Sequence, residues 1–541
     1  MADNHTRNLC NELIHSHFGP STAKLAKVLL TRGRLSFSHL LRFTGLKPRT
    51  ARSCILALVQ HNVLWHSKGD DEVEMFEFNV DECLVRLRFG RYIVLAQEIF
   101  GQMAGEIVQV VLDHGKLRSS DALSYLHIYD HKNISQHHQT FHKLVAGSYL
   151  KPATILSHLS PRDRIMKYEA EERRKITGFP TAKELRQVKE VAEARVRRED
   201  EGEEQIGLKR KSKDYAGPRP AKRKGAESED VVDDSVYFKV NYEKFNIHIR
   251  NNLIEHAAAG KFNEGAATVL RAILRTTEAT QLRLSEPRTA PTSLPNIMLQ
   301  IPEDAKLSEG LVYSAKRTSN STCVKDYMGM LSSADNPSTE GRASSFISYS
   351  TSKIQVEFDI VARRLRRNVI ESIAREKHGT EGARVVRLLL DSGKLDEKQI
   401  SKIVMMAAKD VRPLLVALST DSLISTQEVP KSADRNPTRM FYLWYVDHPK
   451  AFSVILGNIY KTLSNIVARR RAEREDSEIA AVLEKRERSD VSQDENLLTR
   501  MERELLQRWK SKEQRLSVIE IRVEEMVFLL KDLAPLCNNE E

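Results

Sequence analysis

The chain has 541 residues, with 85 Lys and Arg against 74 Asp and Glu for a net charge of +11, 29% charged and 6% aromatic residues, and a mean hydropathy of −0.44. A chain of this length divides into several domains, and no apolar run approaches the roughly 20 residues that cross a bilayer as a helix, which argues against a membrane span. Both charge signs are abundant, so the pI of about 9.2 points to local basic patches facing nucleic acid or an acidic partner rather than to a uniform field.

The opening stretch, Met1 to Phe18, is polar, with Asp3, Glu12 and several His, unlike a secretory signal. The five cysteines (Cys10, Cys54, Cys83, Cys323, Cys537) are scattered with no C-x-x-C pair, against a zinc ribbon or a disulfide frame and in favour of a reducing compartment. In the first segment, residues 1–82, Val28-Leu29-Leu30-Thr31-Arg32-Gly33-Arg34-Leu35 reads as an apolar helix end followed by Gly, a base and Leu. Pro48 then stands at the first turn of a helix with Ile55, Leu58 and Val59 on its core face. Glu72 to Val80 alternates like a strand.

The second segment, 83–160, starts with a helix around Arg91 to Phe100 and repeats the mark at Val110-Val111-Leu112-Asp113-His114-Gly115-Lys116-Leu117. Residues 161–234 shift in composition. Glu169 to Asp200 is charged and helical in part, whereas Glu201 to Asp230 has almost no large apolar residue and reads as a disordered linker. Within it, Lys209, Arg210, Lys211 and Lys213, then Lys222, Arg223 and Lys224, form two basic clusters in the arrangement of a bipartite nuclear import signal.

Order resumes in 235–360, with helices expected over Val236–Ile254 and Glu264–Thr277, an apolar stretch at Leu294–Ile301 after Pro291, a third helix over Asn320–Leu331, and strand-like alternation from Phe346 to Phe358. This segment lacks the Gly-base-Leu mark. In 361–447 the mark returns as Leu388-Leu389-Leu390-Asp391-Ser392-Gly393-Lys394-Leu395. Asp396 and Gln399 form a capping-box pattern for a second helix. A third helix carries Val411, Leu414, Leu415 and Leu418, with Pro413 expected in its first turn. Two strands, around Leu423–Gln427 and Arg439–Val446, close the segment.

Residues 448–541 step by threes and fours through Phe452, Leu456, Ile459, Leu463 and Ile466, then Leu498, Met501 and Leu505, then Leu516, Ile519, Val523, Met526, Leu530 and Leu533. Two heptad runs joined by a polar break predict an antiparallel coiled-coil hairpin, with an intermolecular parallel zipper as the alternative.

The Gly of the mark and the Leu of the third helix are 25 residues apart in the first copy (33 to 58) and in the last (393 to 418), and 29 apart in the middle one (115 to 144). Repetition at near-constant spacing, with three helices followed by a two-stranded ribbon, predicts a mainly α chain of four tandem winged helices ending in the hairpin. No nucleotide-binding, hydrolase or metalloprotease motif occurs, so the reading assigns no catalytic residue, metal or cofactor. The group His131, His137, His138 and His142 is read as polar helix surface.

A winged helix meets DNA through its third helix and its wing, mainly by basic contacts to phosphate. The candidates are Lys47, Arg49 and Arg52; Lys132 and Lys143; and Lys409, Arg412, Lys431, Arg435 and Arg439. These helices lack the Arg, Asn and Gln clusters of base readout, so contact governed by backbone and shape is expected.

Leu58-Val59-Gln60-His61-Asn62-Val63-Leu64, Arg86-Leu87-Arg88-Phe89-Gly90-Arg91-Tyr92-Ile93, Asp410-Val411-Arg412-Pro413-Leu414-Leu415 and Phe441-Tyr442-Leu443-Trp444, in this order over essentially the whole chain, resemble the tandem winged-helix subunit of eukaryotic RNA polymerase III, a relative of the TFIIE large subunit. The resemblance implies a nuclear, non-catalytic subunit of the initiation heterotrimer, docked on the polymerase clamp, that helps open promoter DNA and recruit TFIIIB. Two other readings compete: a winged-helix scaffold of the proteasome-lid type without nucleic-acid contact, and a DNA-binding regulator dimerised through its coiled coil.

Overall fold

The computed structural model describes residues 3–68, 73–127, 134–176, 181–203, 208–210, 230–302, 305, 307–311, 319–333, 341, 344–350, 353–430, 440–488 and 498–533. They form two compact units: residues 1–245 with 464–516, and 246–463 with 517–541.

In the first unit, α1 (Asn4–Phe18), α2 (Pro20–Arg32), α3 (Phe37–Thr44) and α4 (Pro48–Gln60) accompany β1 (Leu35–Ser36), β2 (Leu64–Lys68) and β3 (Glu74–Phe78). The sheet order is β1-β3-β2, all antiparallel. Gly33 ends α2 at φ +81, a conformation that an L side chain resists, which is why the mark carries Gly there. Pro48 is the first residue of α4, as expected. After α4 the chain turns on Asn62 (φ +58): the amides of Asn62 and Val63 return to the carbonyls of Val59 (3.1 Å) and Leu58 (2.9 Å). Leu9, Leu25, Leu29, Leu40, Leu58 and Phe76 fill the core; each fully buried side chain of this size contributes about 1.5–3 kcal/mol.

The helix α5 (Val80–Val85) leads into a second module: α6 (Phe89–Phe100), α7 (Gln102–His114), β4 (Leu117–Arg118), α8 (Ser119–His127), α9 (Ile134–Ala146) and β5 (Leu150–Pro152). Its wing differs from the expectation. The returning strand is not in 83–160. A helical hairpin, α10 (Pro161–Arg173) and α11 (Ala182–Glu203), follows first, then the pair β6 (Leu208–Arg210) and β7 (Asp230–Val232). Only then does β8 (Tyr237–Val240) insert between β4 and β5, pairing Phe238 with both Leu117 and Pro152. The expected linker is thus an insertion inside the second wing, and within the stretch read as disordered, α11 runs to Glu203 and residues 208–210 are paired. Arg164 on Asp200 (2.9 Å), Arg195 on Glu171 (2.8 Å) and Tyr168 on Glu199 (2.6 Å) join α10 to α11, beside the buried Val188 and Ala192.

In the second unit, α12 (Tyr242–Lys261) leads to α13 (Glu264–Thr277), α14 (Leu294–Gln300), α15 (Asn320–Ser332), β9 (Ile347–Tyr349) and β10 (Ile354–Val356). Thr292 bridges Ile354 on the side away from β9, so the strand order of the other modules recurs without the Gly-base-Leu mark. Val269, Leu270, Ile273, Tyr327, Met328 and Phe346 form its core. The long α16 (Phe358–Ser392) breaks at Gly379, φ +71, the joint that Gly19 and Gly101 provide earlier. Then come β11 (Leu395–Asp396), α17 (Glu397–Val404), α18 (Ala408–Thr420), β12 (Ser425–Pro430) and β13 (Met440–Tyr445), in sheet order β11-β13-β12. The Asp396–Gln399 capping box is present. Pro413, however, lies inside α18 rather than in its first turn, because the helix starts at Ala408. Ser148, Ser333 and Ser422 repeat the positive φ of Asn62 after the third helix of each remaining module.

The C-terminal region consists of α19 (His448–Glu475), α20 (Ser477–Arg486) and α21 (Arg500–Val527), with one π-helical turn over Phe528–Asp532. In the first unit, Glu473–Lys512 (2.8 Å), Arg470–Glu513 (3.0 Å) and Lys485–Glu502 (2.9 Å) pair these helices antiparallel, as the hairpin reading requires. Arg471 joins Glu12 of α1 at 2.6 Å. In the second unit, buried Arg366 donates to the carbonyls of Leu529 and Leu533 at the end of the chain's last turn. Ile459, Leu463 and Ile466 are buried and Leu456 is half-buried, as the heptads predict. Along α21 and its flanks the register holds in part: Leu498, Leu530 and Leu533 are buried and Leu516 and Val523 half-buried, but Met501, Ile519 and Met526 are exposed, while Leu506, Glu524 and Val527, off the register, are buried. The apolar band of this helix is wider than two positions per heptad, so the 3-4 stepping selected its outer edge.

Candidate nucleic-acid and protein interfaces

The first and fourth modules correspond residue for residue at an offset of 360 in number, from Gly33 and Gly393 through Leu58 and Leu418 to Asn62 and Ser422. Their third helices, α4 and α18, therefore present the same outer face. It carries Arg49 and Lys409, then Arg52 and Arg412, then Leu56 and Val416, all exposed. Arg52 lies 5.4 Å from the Phe37 ring, and Arg412 is ion-paired with Glu397 at 2.9 Å. Lys47 is the N-cap of α4, also exposed. The basic half of each face is at the helix start and the aliphatic half is toward its end. Leu56 is 69% and Val416 56% exposed, and around α18 Ile403 (53%) and Met405 (90%) add to the apolar surface.

The second module does not share the basic pair. By the match of Leu144 to Leu58, the positions of Arg49, Arg52 and Leu56 are held on α9 by Ser135, His138 and His142. The candidate Lys143 is exposed but takes the place of Ala57. Lys132, Lys431, Arg435 and Arg439 lie outside the described residues, as do Lys211, Lys213, Lys222, Arg223 and Lys224 of the import signal; Lys209 and Arg210 are in β6. His137 is buried, 3.9 Å from Glu106, not at the surface, because it occupies the core side of α9 four residues before Phe141. Among the described residues no His, Cys, Asp and Glu cluster is placed to hold a metal.

The mark in the second module has a task that sequence reasoning missed. Gly115 and Lys116 receive the end of α4 from the first module. Gln60 donates to the carbonyls of Lys116 (2.6 Å) and His114 (3.2 Å), and Lys116 Nζ donates to the carbonyl of Val59 (2.9 Å). A methyl on Gly115 would stand 2.5 Å from the Gln60 carbonyl oxygen. His61 packs edge-on against Phe18 at 4.8 Å, and Arg86 lies 4.6 Å from the same ring. Burial, reinforced by Arg86, pushes His61 down to about 3; burial and Lys239 lower Lys116 to about 8; burial and Lys116 lower His158 to about 4. A small pocket beside them, lined by His61, Asn62, Arg86, Gly115 and Tyr242 among others, belongs to this joint. The only visible cue was the pairing of Gly and Lys in a buried context; in the fourth module Gly393 has open space around it and Lys394 is exposed.

Three family models match the chain: "RNA polymerase III subunit RPC82 helix-turn-helix domain" over residues 8–67, "RNA polymerase III subunit RPC82" over 139–340, and "POLR3C, C-terminal winged-helix domain" over 370–446. Among curated proteins, the DNA-directed RNA polymerase III subunit RPC3 of Bos taurus is 25% identical, and that of Homo sapiens 24%, each over 97% of this chain and 97% of its own length. The chain belongs to the RPC82/RPC3 family. The corresponding subunit of Aspergillus niger is 25% identical over 98% of this chain and all of its own. The RPC82 matches reach into three of the four modules and cross the insertion in the second wing, so the β8 strand that the sequence reading displaced falls inside the family's own 139–340 segment.

Proposed function

We infer that this chain is a non-catalytic, nuclear subunit of DNA-directed RNA polymerase III. It acts in promoter opening and in initiating transcription of small untranslated RNAs, through winged-helix contacts to promoter DNA, to other polymerase subunits and to TFIIIB. The observation that carries the reading is collinearity: relatives named as that enzyme's subunit RPC3 match over nearly their whole length, so the complete array is shared rather than one widespread module. The outer faces of α4 and α18 supply the physical means. Arg49, Arg52 and Lys409 meet phosphate without reading bases, while Leu56 and Val416 give the same helices an apolar edge for a neighbouring subunit.

That apolar edge supports a second reading, in which the modules hold proteins together and touch no nucleic acid. Affinity purification of the chain from nuclear extract with mass spectrometry tests membership: co-purification of the polymerase III subunits is expected, and their absence refutes the assignment. Charge reversal, Arg49→Glu with Arg52→Glu, separates the two readings. Promoter opening by the reconstituted enzyme is expected to fall at least several-fold with assembly intact; unchanged opening leaves the scaffold reading standing.

A further inference from the structure

One cluster of cations has no part in the function above. Lys261 ends α12, and Arg364 sits in the second turn of α16, after the wing of the third module. The Arg364 guanidinium lies 3.8 Å over the ring of fully buried Phe346, and its Nη1 donates to the carbonyl oxygen of Ser344. Lys261 Nζ donates to the same oxygen at 2.9 Å. Two positive groups are therefore fixed within a few ångströms of each other. Neither is ion-paired with a carboxylate among the described residues, and Arg364 Nη2 is shielded from solvent without a hydrogen-bond acceptor. The hydroxyls of Ser333 and Ser344 lie 3.1 Å apart in the same corner.

One carbonyl oxygen accepts from both cations and the Phe346 ring lies beside both, so the pair is held together with no carboxylate between them among the described residues. Elsewhere in the second unit crowded cations are neutralised: Arg367 lies between Glu371 (2.8 Å) and Asp391, and Lys377 and His378 share Asp421. At the Ser344 corner burial and the neighbouring guanidinium bring Lys261 down to about 8, as expected where like charges meet with nothing between them. A fixed guanidinium beside an exposed ammonium, with no carboxylate between them among the described residues, supplies the positive charge of an oxyanion site. Two cations so placed suit a backbone phosphate, whose contacts position a strand without reading it.

We propose that Lys261 and Arg364 bind a backbone phosphate of a nucleic-acid strand on the third winged helix. The proposal rests on the DNA-contacting function inferred above and adds a contact away from the third-helix faces. The test uses the full chain and a fluorescently labelled 20-nucleotide strand, single and in duplex, with anisotropy titrations from 50 to 300 mM NaCl. Lys261→Glu changes an exposed position and leaves the fold intact, as a thermal melt checks; Lys261→Gln with Arg364→Gln removes both charges. The double variant is expected to bind about tenfold more weakly at 150 mM salt and to lower the slope of log K against log salt by about 0.9 on the duplex, for the one phosphate no longer neutralised. Lys261→Arg is expected to bind as the parent does. If the parent binds, and Arg49→Glu/Arg52→Glu weakens it while the Lys261 and Arg364 variants leave affinity and slope unchanged, this site is refuted and the broader function stands. If the parent binds neither strand, both fall.

Discussion

The joint between the first two modules is the sharpest place to test the physical account, through two glycines in equivalent turns. Gly115 (φ +83) and Gly393 (φ +76) both hold backbone conformations that alanine enters at a cost of about 1–3 kcal/mol. They differ in surroundings. A Cβ at Gly393 meets nothing within 4 Å; at Gly115 it stands 2.5 Å from the Gln60 carbonyl oxygen and 3.0 Å from His61 Nδ1. Backbone atoms cannot swing aside as a flexible side chain does, so overpacking adds about 1–3 kcal/mol at Gly115 alone. Gly393→Ala is thus expected to loosen its own module by about 1–3 kcal/mol, and Gly115→Ala the first pair by about 2–6 kcal/mol, with the excess coming from separation of the two modules. Native-state hydrogen exchange on the full chain reads this locally. The Lys116 amide and those in the last turn of α4 should lose protection at least tenfold more in Gly115→Ala than the turn after α16 loses in Gly393→Ala. Equal losses, or protection at the end of α4 unaffected by Gly115→Ala, would refute the claim that the glycine is there for the contact.

Two further outcomes follow from the same structure. His61 is held near 3 against an ordinary 6.5, so the unfolded chain binds the proton first and stability is lost as pH falls from about 6.5 toward 3; at pH 5 this group alone costs about 2 kcal/mol, and urea midpoints at pH 7.5 and 5 should draw closer together in His61→Gln. On α21, Ile519→Asp and Met526→Asp should change stability by less than about 0.5 kcal/mol, whereas Val527→Asp, one residue further on, should cost more than about 2 kcal/mol by burying a charge, as thermal melts of the isolated chain would register.

Features set by nearest neighbours were legible in the chain. Gly33, Gly115 and Gly393 mark helix ends because only glycine takes those dihedral angles cheaply, Pro48 marks a helix start, and Asp396 with Gln399 encodes its own cap. Features set by distant partners were not. Tyr237–Val240 is four residues long and becomes a strand only because β4 and β5, some 85 to 120 positions earlier, offer their edges; on its own it reads as the approach to α12. The third module hides its first strand in bridges at Arg288 and Thr292, too short to leave a pattern. The heptad register on α21 held only in part, since stepping finds an apolar edge without saying which flank a neighbour covers. At the candidate interface, charge type was readable but pairing was not: Arg412 bonded to Glu397, and Lys261 beside Arg364, depend on residues 15 and 103 positions apart.

The placement of the insertion in the second wing has a consequence for how such a chain varies. Both ends of the segment leave from one small sheet, where Pro152 faces Phe238, so the distance between them is set before any residue of the loop is chosen. Lengthening a loop whose ends are already pinned costs only about 0.6 kcal/mol per doubling. A change in the length of this segment therefore leaves the sheet that pins its two ends, and the modules built on that sheet, unaltered.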